Sequence, residues 1–334
     1  MKTTFTDRFI AAIASKVPPG TALPQALVEL LGQNMSTVYR KLRGDTPFAL
    51  EEVLKMANHF SVSIDAHGLD ASSLVSGELP ALLQTSHTPV DYLTMLDKQL
   101  AWTASLPGVE VWYATQEVPI FYYFPEPELL AFKLFMWNRT NGHAADHAHA
   151  SFHPDEFQAH WPDVEPLRAR MLATYFKTDT LELWPAMMLE HTLRQIAVAR
   201  HVQMFASADT APGLFRALLR TVAYMEAWAR EAKRSGPDGG RFTLYFNDVA
   251  YTNNTALVCS NEEPVAVFTS YDNPHFLVVR QPLVVHRMFN WLNTIRQQAI
   301  QISGGGERFR KTLFDYYRHQ VMAAWEKTDR GELM

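Results

Sequence analysis

The sequence predicts a mainly α-helical protein with a smaller α+β part at its C-terminal end. Three observations carry this reading. Apolar residues recur at helical spacing from Phe5 to about residue 234. The run Ser235-Gly236-Pro237-Asp238-Gly239-Gly240 then breaks the pattern. Short β-rich runs follow it, and two helices close the chain. At 334 residues the chain is too long for one hydrophobic core and divides into about two or three domains.

Residues 4–16 place Phe5, Phe9, Ile10 and Ile13 on one helical face, ended by Val17-Pro18-Pro19-Gly20. Pro24 sits where a first helical turn tolerates proline, and Leu27, Leu30 and Leu31 follow as an apolar stripe. Gly32 breaks that helix, and Asn34 can cap the next, which holds Val38 and Leu42 four residues apart. A fourth helix, from about Leu50 to Phe60, turns Val53, Leu54, Ala57 and Phe60 inward. Residues 1–65 thus form an N-terminal helical bundle, and 66–90, with Gly68, Ser72-Ser73 and Ser76-Gly77, reads as a linker.

Residues 91–236 form a central helical body with segments at 89–105, 127–139, 164–177, 184–205 and 211–234. A short extended run, Val109 to Ala114, precedes the aromatic stretch Ile120 to Phe124. In 237–334 the runs Phe242–Phe246, Ala256–Cys259, Val265–Ser270 and His275–Val279 are divided by turn-forming residues, which predicts an antiparallel meander. Helices at about 282–299 and 306–326 follow, joined through Ser303-Gly304-Gly305-Gly306.

With 47% hydrophobic and 19% charged residues, collagenous and wholly disordered classes are excluded. No stretch of about 18 residues runs without a charge, so no membrane-spanning helix is expected. The first residues, with Lys2, Asp7, Arg8 and Lys16, lack the long apolar centre of a signal peptide. The single cysteine, Cys259, can form no internal disulfide. These features predict a soluble, cytoplasmic protein. Charge is unevenly spread: from Met1 to Ile64, seven Lys and Arg oppose five Asp and Glu, leaving 23 basic and 30 acidic residues elsewhere. A basic head on an acidic body suits a head that meets a polyanion.

The stretch Leu23 to Gly44 spells helix, tight glycine turn, second helix, with Leu27, Leu31, Val38 and Leu42 burying the angle between them. The second helix is expected to expose Ser36, Thr37, Tyr39, Arg40, Lys41 and Arg43. Small hydroxyls permit close approach to base edges, and arginine can bond guanine through two hydrogen bonds in the major groove. Lys41 and Arg43 are placed on phosphates, and Gln25 joins the contact set from the preceding helix.

Through "Leu-Leu-Gly", "Ser-Thr-Val", "Arg-Gly" and the later "Phe-Ser-Val-Ser-Ile-Asp", this segment resembles Xre/Cro-type helix-turn-helix repressors. Val28 departs from that pattern at a position usually held by alanine, Gln33 replaces an aliphatic residue, and Lys41 stands where an apolar residue is often buried. Val38 to Gly44 is also similar to the recognition helix of helix-turn-helix regulators common in Bacteroidetes. Phe132–Trp137, Leu193–Ile196 and Ile302–Arg310 are similar to their bodies. The resemblance implies a one-component regulator with a DNA-binding head and a sensing or oligomerising body. Double-stranded DNA and a second copy of the chain are the expected partners, since two heads on half-sites about one helical turn apart supply affinity.

Other constellations are weighed against it. Eight aromatics crowd Trp112 to Phe135, with Trp137 next, so Trp112, Tyr122, Tyr123, Phe132 and Trp137 are candidates to line a ligand pocket as well as a core. His143, His147, His149, His153 and His160, with Asp146 and Asp155, have metal-ligand chemistry but read as a polar loop, so no metal is expected. Gly304-Gly305-Gly306 lacks the Lys-Ser/Thr ending of a nucleotide loop and reads as a flexible connection. No catalytic motif is present, Cys259 reads as a buried inert thiol, and neither catalytic residues nor a cofactor is expected. Two alternatives stand beside the regulator: a peptide-pheromone type of receptor regulator, and a small-molecule-binding protein or enzyme whose head is an interaction module.

Overall fold

The computed structural model describes residues 4–18, 20–60, 62–64, 75, 77–80, 88–141, 151–234, 236, 238–248, 253–272 and 274–332. The chain forms two compact units, Met1–Ser76 and Gly77–Met334.

The first unit, the head, holds α1 (Phe5–Ala14), α2 (Leu23–Leu31), α3 (Met35–Leu42) and α4 (Leu50–Phe60). A capping box between Thr4 and Asp7 starts α1. Phe9, Ile13, Leu27, Val38, Met56, Ala57 and Phe60 form its core. Leu54, expected inward, is exposed instead: the inward face of α4 runs through Val53, Met56, Ala57 and Phe60, at spacings of three and four.

The second unit, the body, is built on one seven-stranded sheet. Its strands are β1 (Val109–Ala114), β2 (Asp179–Trp184), β3 (Phe242–Phe246), β4 (Thr255–Ser260), β5 (Glu263–Ser270), β6 (Phe276–Val279) and β7 (Ile300–Gln301), in the order β6-β5-β4-β1-β2-β3-β7. Its helices are α5 (Pro89–Ala104), α6 (Pro127–Asn141), α7 (Pro154–His160), α8 (Val164–Lys177), α9 (Glu190–His201), α10 (Thr210–Glu231), α11 (Pro282–Gln298) and α12 (Glu307–Asp329), with a short 3₁₀ turn at Ile120–Tyr123.

Strands β1, β2 and β3 run parallel, while β4, β5, β6 and β7 join antiparallel. The central and C-terminal segments therefore interleave: β1 lies between β2 and β4. The expected meander holds for β4, β5 and β6, but β3 leaves it to pair with β2 and β7. The reason lies in β2, which is buried on both faces from Thr180 to Trp184 and so requires a strand on each edge and cover above and below. From the supposed linker, Glu78 makes an antiparallel bridge to Val278; residues 65–74 and 81–87 lie outside the described residues.

Alternation along the strands sends apolar side chains to both faces of the sheet. Trp112, Leu181, Leu183, Leu257, Cys259 and Val267 face α11, meeting Val285, Leu292 and Ile295. Trp184, Phe242 and Leu244 face the larger helical side with α6, α8, α9, α10 and α12. On this side Glu182 is fully buried with Arg234, Nη2 to Oε1 2.8 Å. Tyr122 and Tyr175 hydroxyls also donate to Glu182, at 2.7 and 3.2 Å, and Trp184 Nε1–H donates at 2.9 Å. The Gly304–Gly306 connection is pinned rather than loose: Arg310 Nη1 donates to the carbonyls of Ile302, Gly304 and Gly305 at 2.9, 3.1 and 2.9 Å.

Candidate functional site

In the head, Gly32 ends α2 at φ 65°, a left-handed conformation that glycine adopts without Cβ strain. Asn34 then caps α3, its side-chain oxygen accepting from Thr37 N–H at 2.8 Å. Val38 is buried beneath, and the opposite face of α3 exposes Ser36, Tyr39 and Arg40, with Thr37 half-buried at its edge. Arg43, exposed at the end of α3, pairs with Asp45 at 3.1 Å, and Gln25 is exposed on α2. The turn thus gathers Ser36, Thr37, Tyr39, Arg40 and Arg43 on or beside one solvent-facing surface.

Lys41 is the exception and corrects the expected phosphate contact. Three residues after Val38, it lies on the inward face and is only 8% exposed. Its ammonium is bonded to both oxygens of Glu52 on α4, to Oε2 at 2.5 Å. Glu52 also accepts from Gln33 and from Ala49 N–H, the latter at 2.7 Å at the start of α4. Burial works to raise the Glu52 carboxyl, but the bonds from Lys41, Ala49 and Gln33 outweigh it and hold the group below its usual range. Gln33 and Lys41, two separate departures from the repressor pattern in sequence, are thus one feature: a polar clasp between the turn, α3 and α4.

The body contains a cavity of about 440 Å³ beyond the carboxyl ends of β1 and β2. The first turns of α9 line it through His191 and Gln195, and α6 lines it through Lys133, Trp137 and Thr140. Lys133 Nζ donates to Gln195 Oε1 at 2.6 Å and lies 5.4 Å from the centre of the Tyr123 ring. Burial pushes the Lys133 ammonium down to about 8, against the opposing charge of Glu117. Glu117 Oε1 accepts from Asn254 Nδ2 at 3.1 Å, and its Oε2 is 3.9 Å from His191 Nε2. Burial first, and then the charge of Lys133, keeps the His191 imidazole below its ordinary range.

A family model described as the BetR domain matches residues 20–98. That domain is associated with helix-turn-helix-like regulators, and its match takes in α2, α3, α4 and the first part of α5, which fits a DNA-binding regulator in coarse terms. No curated protein and no solved structure matches the chain significantly. The BetR match covers the turn and the Gln33–Lys41–Glu52 clasp and, of the cavity wall, reaches Tyr92.

Of the aromatics proposed for a pocket, Tyr123 and Trp137 line this cavity. Trp112 does not: it lies on the other face of the sheet, 5.0 Å from Phe289 between ring centres. Tyr122 is held in the core by its bond to Glu182, and Phe132 packs against Phe152 and Phe205. Lys133, Glu117, His191 and Gln195 were missed by sequence reading, since they come from three separated segments. Lys133, one charge amid Phe132, Leu134 and Phe135, was the available signal. In the histidine-rich stretch, His153 Nδ1 accepts from Asp155 N–H at 3.2 Å to start α7, and His160 ends that helix. His143, Asp146, His147 and His149 lie outside the described residues, and no metal-binding group occurs among those described. Cys259 is buried on β4, which pushes its thiol up to about 12.

Proposed function

We propose that the chain is a sequence-specific transcriptional regulator whose head reads double-stranded DNA, and whose body forms a homodimer and senses a small molecule. The observation that carries this reading is the surface of α3. A capped helix, fixed by a glycine turn, offers hydroxyls near its start and arginines further along while its other face is buried. Ser36, Thr37, Tyr39 and Arg40 are assigned to base edges, and Gln25 and Arg43 to the backbone. The resemblance to Xre/Cro-type repressors belongs to the same reading, and the BetR match over the turn supports it in coarser form. Two heads on half-sites roughly 34 Å apart would double the few contacts one head can make. A bound ligand alters occupancy only by favouring one spacing of the heads over another. A cavity of about 440 Å³ is of a size that suits a small metabolite.

Selection of binding sites from random duplex DNA with the full chain tests the reading. A two-fold symmetric motif, lost when Tyr39 and Arg40 are both changed to Ala, is the expected result. Failure to enrich any motif, or full affinity retained by that double variant, overturns the assignment.

A further inference from the structure

We infer that the body cavity binds a small-molecule monocarboxylate, its carboxylate meeting Lys133 and its apolar portion lying against Trp137, Met136 and Ile120. This deepens the sensing half of the proposed function and rests on that half alone. The argument begins with an incomplete charge. Lys133 projects from α6 into the cavity wall, yet no carboxylate lies within ion-pair distance of it among the described residues. Its hydrogen-bond partners are neutral: Gln195 Oε1 at 2.6 Å and, weakly, Thr192 Oγ1 at 3.4 Å. A half-buried ammonium whose hydrogen-bond partners are neutral is stabilised further when an anion completes its shell. The cavity leaves room for that anion to come from outside the chain.

One neighbouring element favours the same sign of charge. The first turns of α9, which carry His191 and Gln195, begin at this wall, and the start of a helix is the positive end of its peptide dipole. The displaced position of the Lys133 ammonium, down to about 8, reports burial that the charge of Glu117 offsets only in part. Glu117 limits how much negative charge can enter. It is held by Asn254 and faces His191, so a second carboxylate on the ligand would meet a like charge. One carboxylate is therefore accepted and two are not.

The remaining wall describes the rest of the ligand. Val118, Pro119, Ile120, Leu134, Met136 and Trp137 offer no charge. A second, mostly apolar pocket of about 150 Å³ adjoins across Tyr92 and Tyr113, extending toward Leu96 and Phe268. An apolar body of aromatic or short aliphatic size fits this outline.

The test is calorimetric titration of the full chain with phenylacetate and octanoate, their primary amides phenylacetamide and octanamide, and the dicarboxylate suberate. At least one monocarboxylate is expected to bind roughly tenfold or more tightly than its amide and than suberate. Lys133→Met should remove that preference while its circular dichroism and melting remain cooperative. Equal binding of acid and amide by the unmodified chain overturns the inference without any variant, as does binding of neither monocarboxylate or an acid preference that survives in Lys133→Met. The DNA selection is read separately. A chain that selects an operator but ignores these acids rejects the ligand class alone, and one that binds acids but selects no operator rejects the DNA reading alone.

Discussion

Arg234 Nη2 lies 2.8 Å from Glu182 Oε1, with both side chains sealed from solvent beneath the parallel strands. Arg234 also donates to Thr178 O at 3.0 Å and stacks over Tyr175 and Phe242, at 4.4 and 5.1 Å from the ring centres. Removing the carboxylate leaves a buried guanidinium without its counter-charge. Glu182→Gln should therefore destabilise the body by about 3–5 kcal/mol. Glu182→Met combined with Arg234→Leu should recover part of that loss, but not all, since Tyr122, Tyr175 and Trp184 lose their common acceptor. Urea unfolding followed by circular dichroism measures both, and a single variant as stable as the parent would refute the account.

The clasp in the head separates stability from DNA contact. Lys41→Ala leaves Glu52 partly buried without its cation, so it should lower head stability by about 1–3 kcal/mol. Its DNA affinity, measured where the head is fully folded, should keep the salt dependence of the parent. Arg40→Ala should do the reverse, weakening specific binding with little change in melting temperature. A salt slope reduced by about one in Lys41→Ala would place this lysine on a phosphate after all.

Acid should loosen the head through Glu52. Its carboxyl is held below its unfolded value, so the folded state favours the charged form. That contribution is complete above the unfolded pKa of about 4.3 and fades as pH falls through the lower folded value. Glu52→Gln should be less stable than the parent at neutral pH and lose less stability on acidification. Thermal melts from about pH 7 to about pH 3 supply the comparison.

Carboxylate binding by the body should weaken in alkali. Lys133 loses its proton around 8, so affinity should be level below that pH and fall roughly tenfold per unit once the neutral amine dominates, down to the affinity of the uncharged site. The other groups facing it titrate elsewhere. His191 is held low, and burial raises Tyr92, Tyr113 and Tyr123 well beyond the alkaline range used. Phenylacetate titrations between about pH 7 and about pH 10 would show the fall, and a flat profile would remove Lys133 from the contact.

Cys259 should resist thiol reagents. Its burial and its position opposite Glu110 on β1 disfavour the thiolate, the nucleophilic form. Ellman's reagent at pH about 8 should give no colour with the native chain and one equivalent after denaturation.

Helices whose stripes are continuous were readable from sequence within a few residues, among them α3, α5, α8 and α10. The strand β2 was not. Its centre carries Glu182, which suits an interior strand only because Arg234, Tyr122 and Tyr175 arrive from distant segments to satisfy it. Reading a helix from residue 184 likewise took the end of β2 for a helical start, whereas α9 begins at Glu190. In the head, the turn and its cap were legible because their signals are local. The inward position of Lys41 was not, because its partner stands eleven residues away on another helix. The cavity escaped for the same reason: Glu117, Lys133 and His191 converge only once the sheet has formed.

The place of β4 beside β1 also sets an order of events at the ribosome. The four described helices of the head end at residue 60, whereas β1 lacks one neighbour until the segment at 255–260 has been synthesised. During translation the head can therefore mature early, while the nascent body waits with an unpaired strand edge until residues 255–260 emerge.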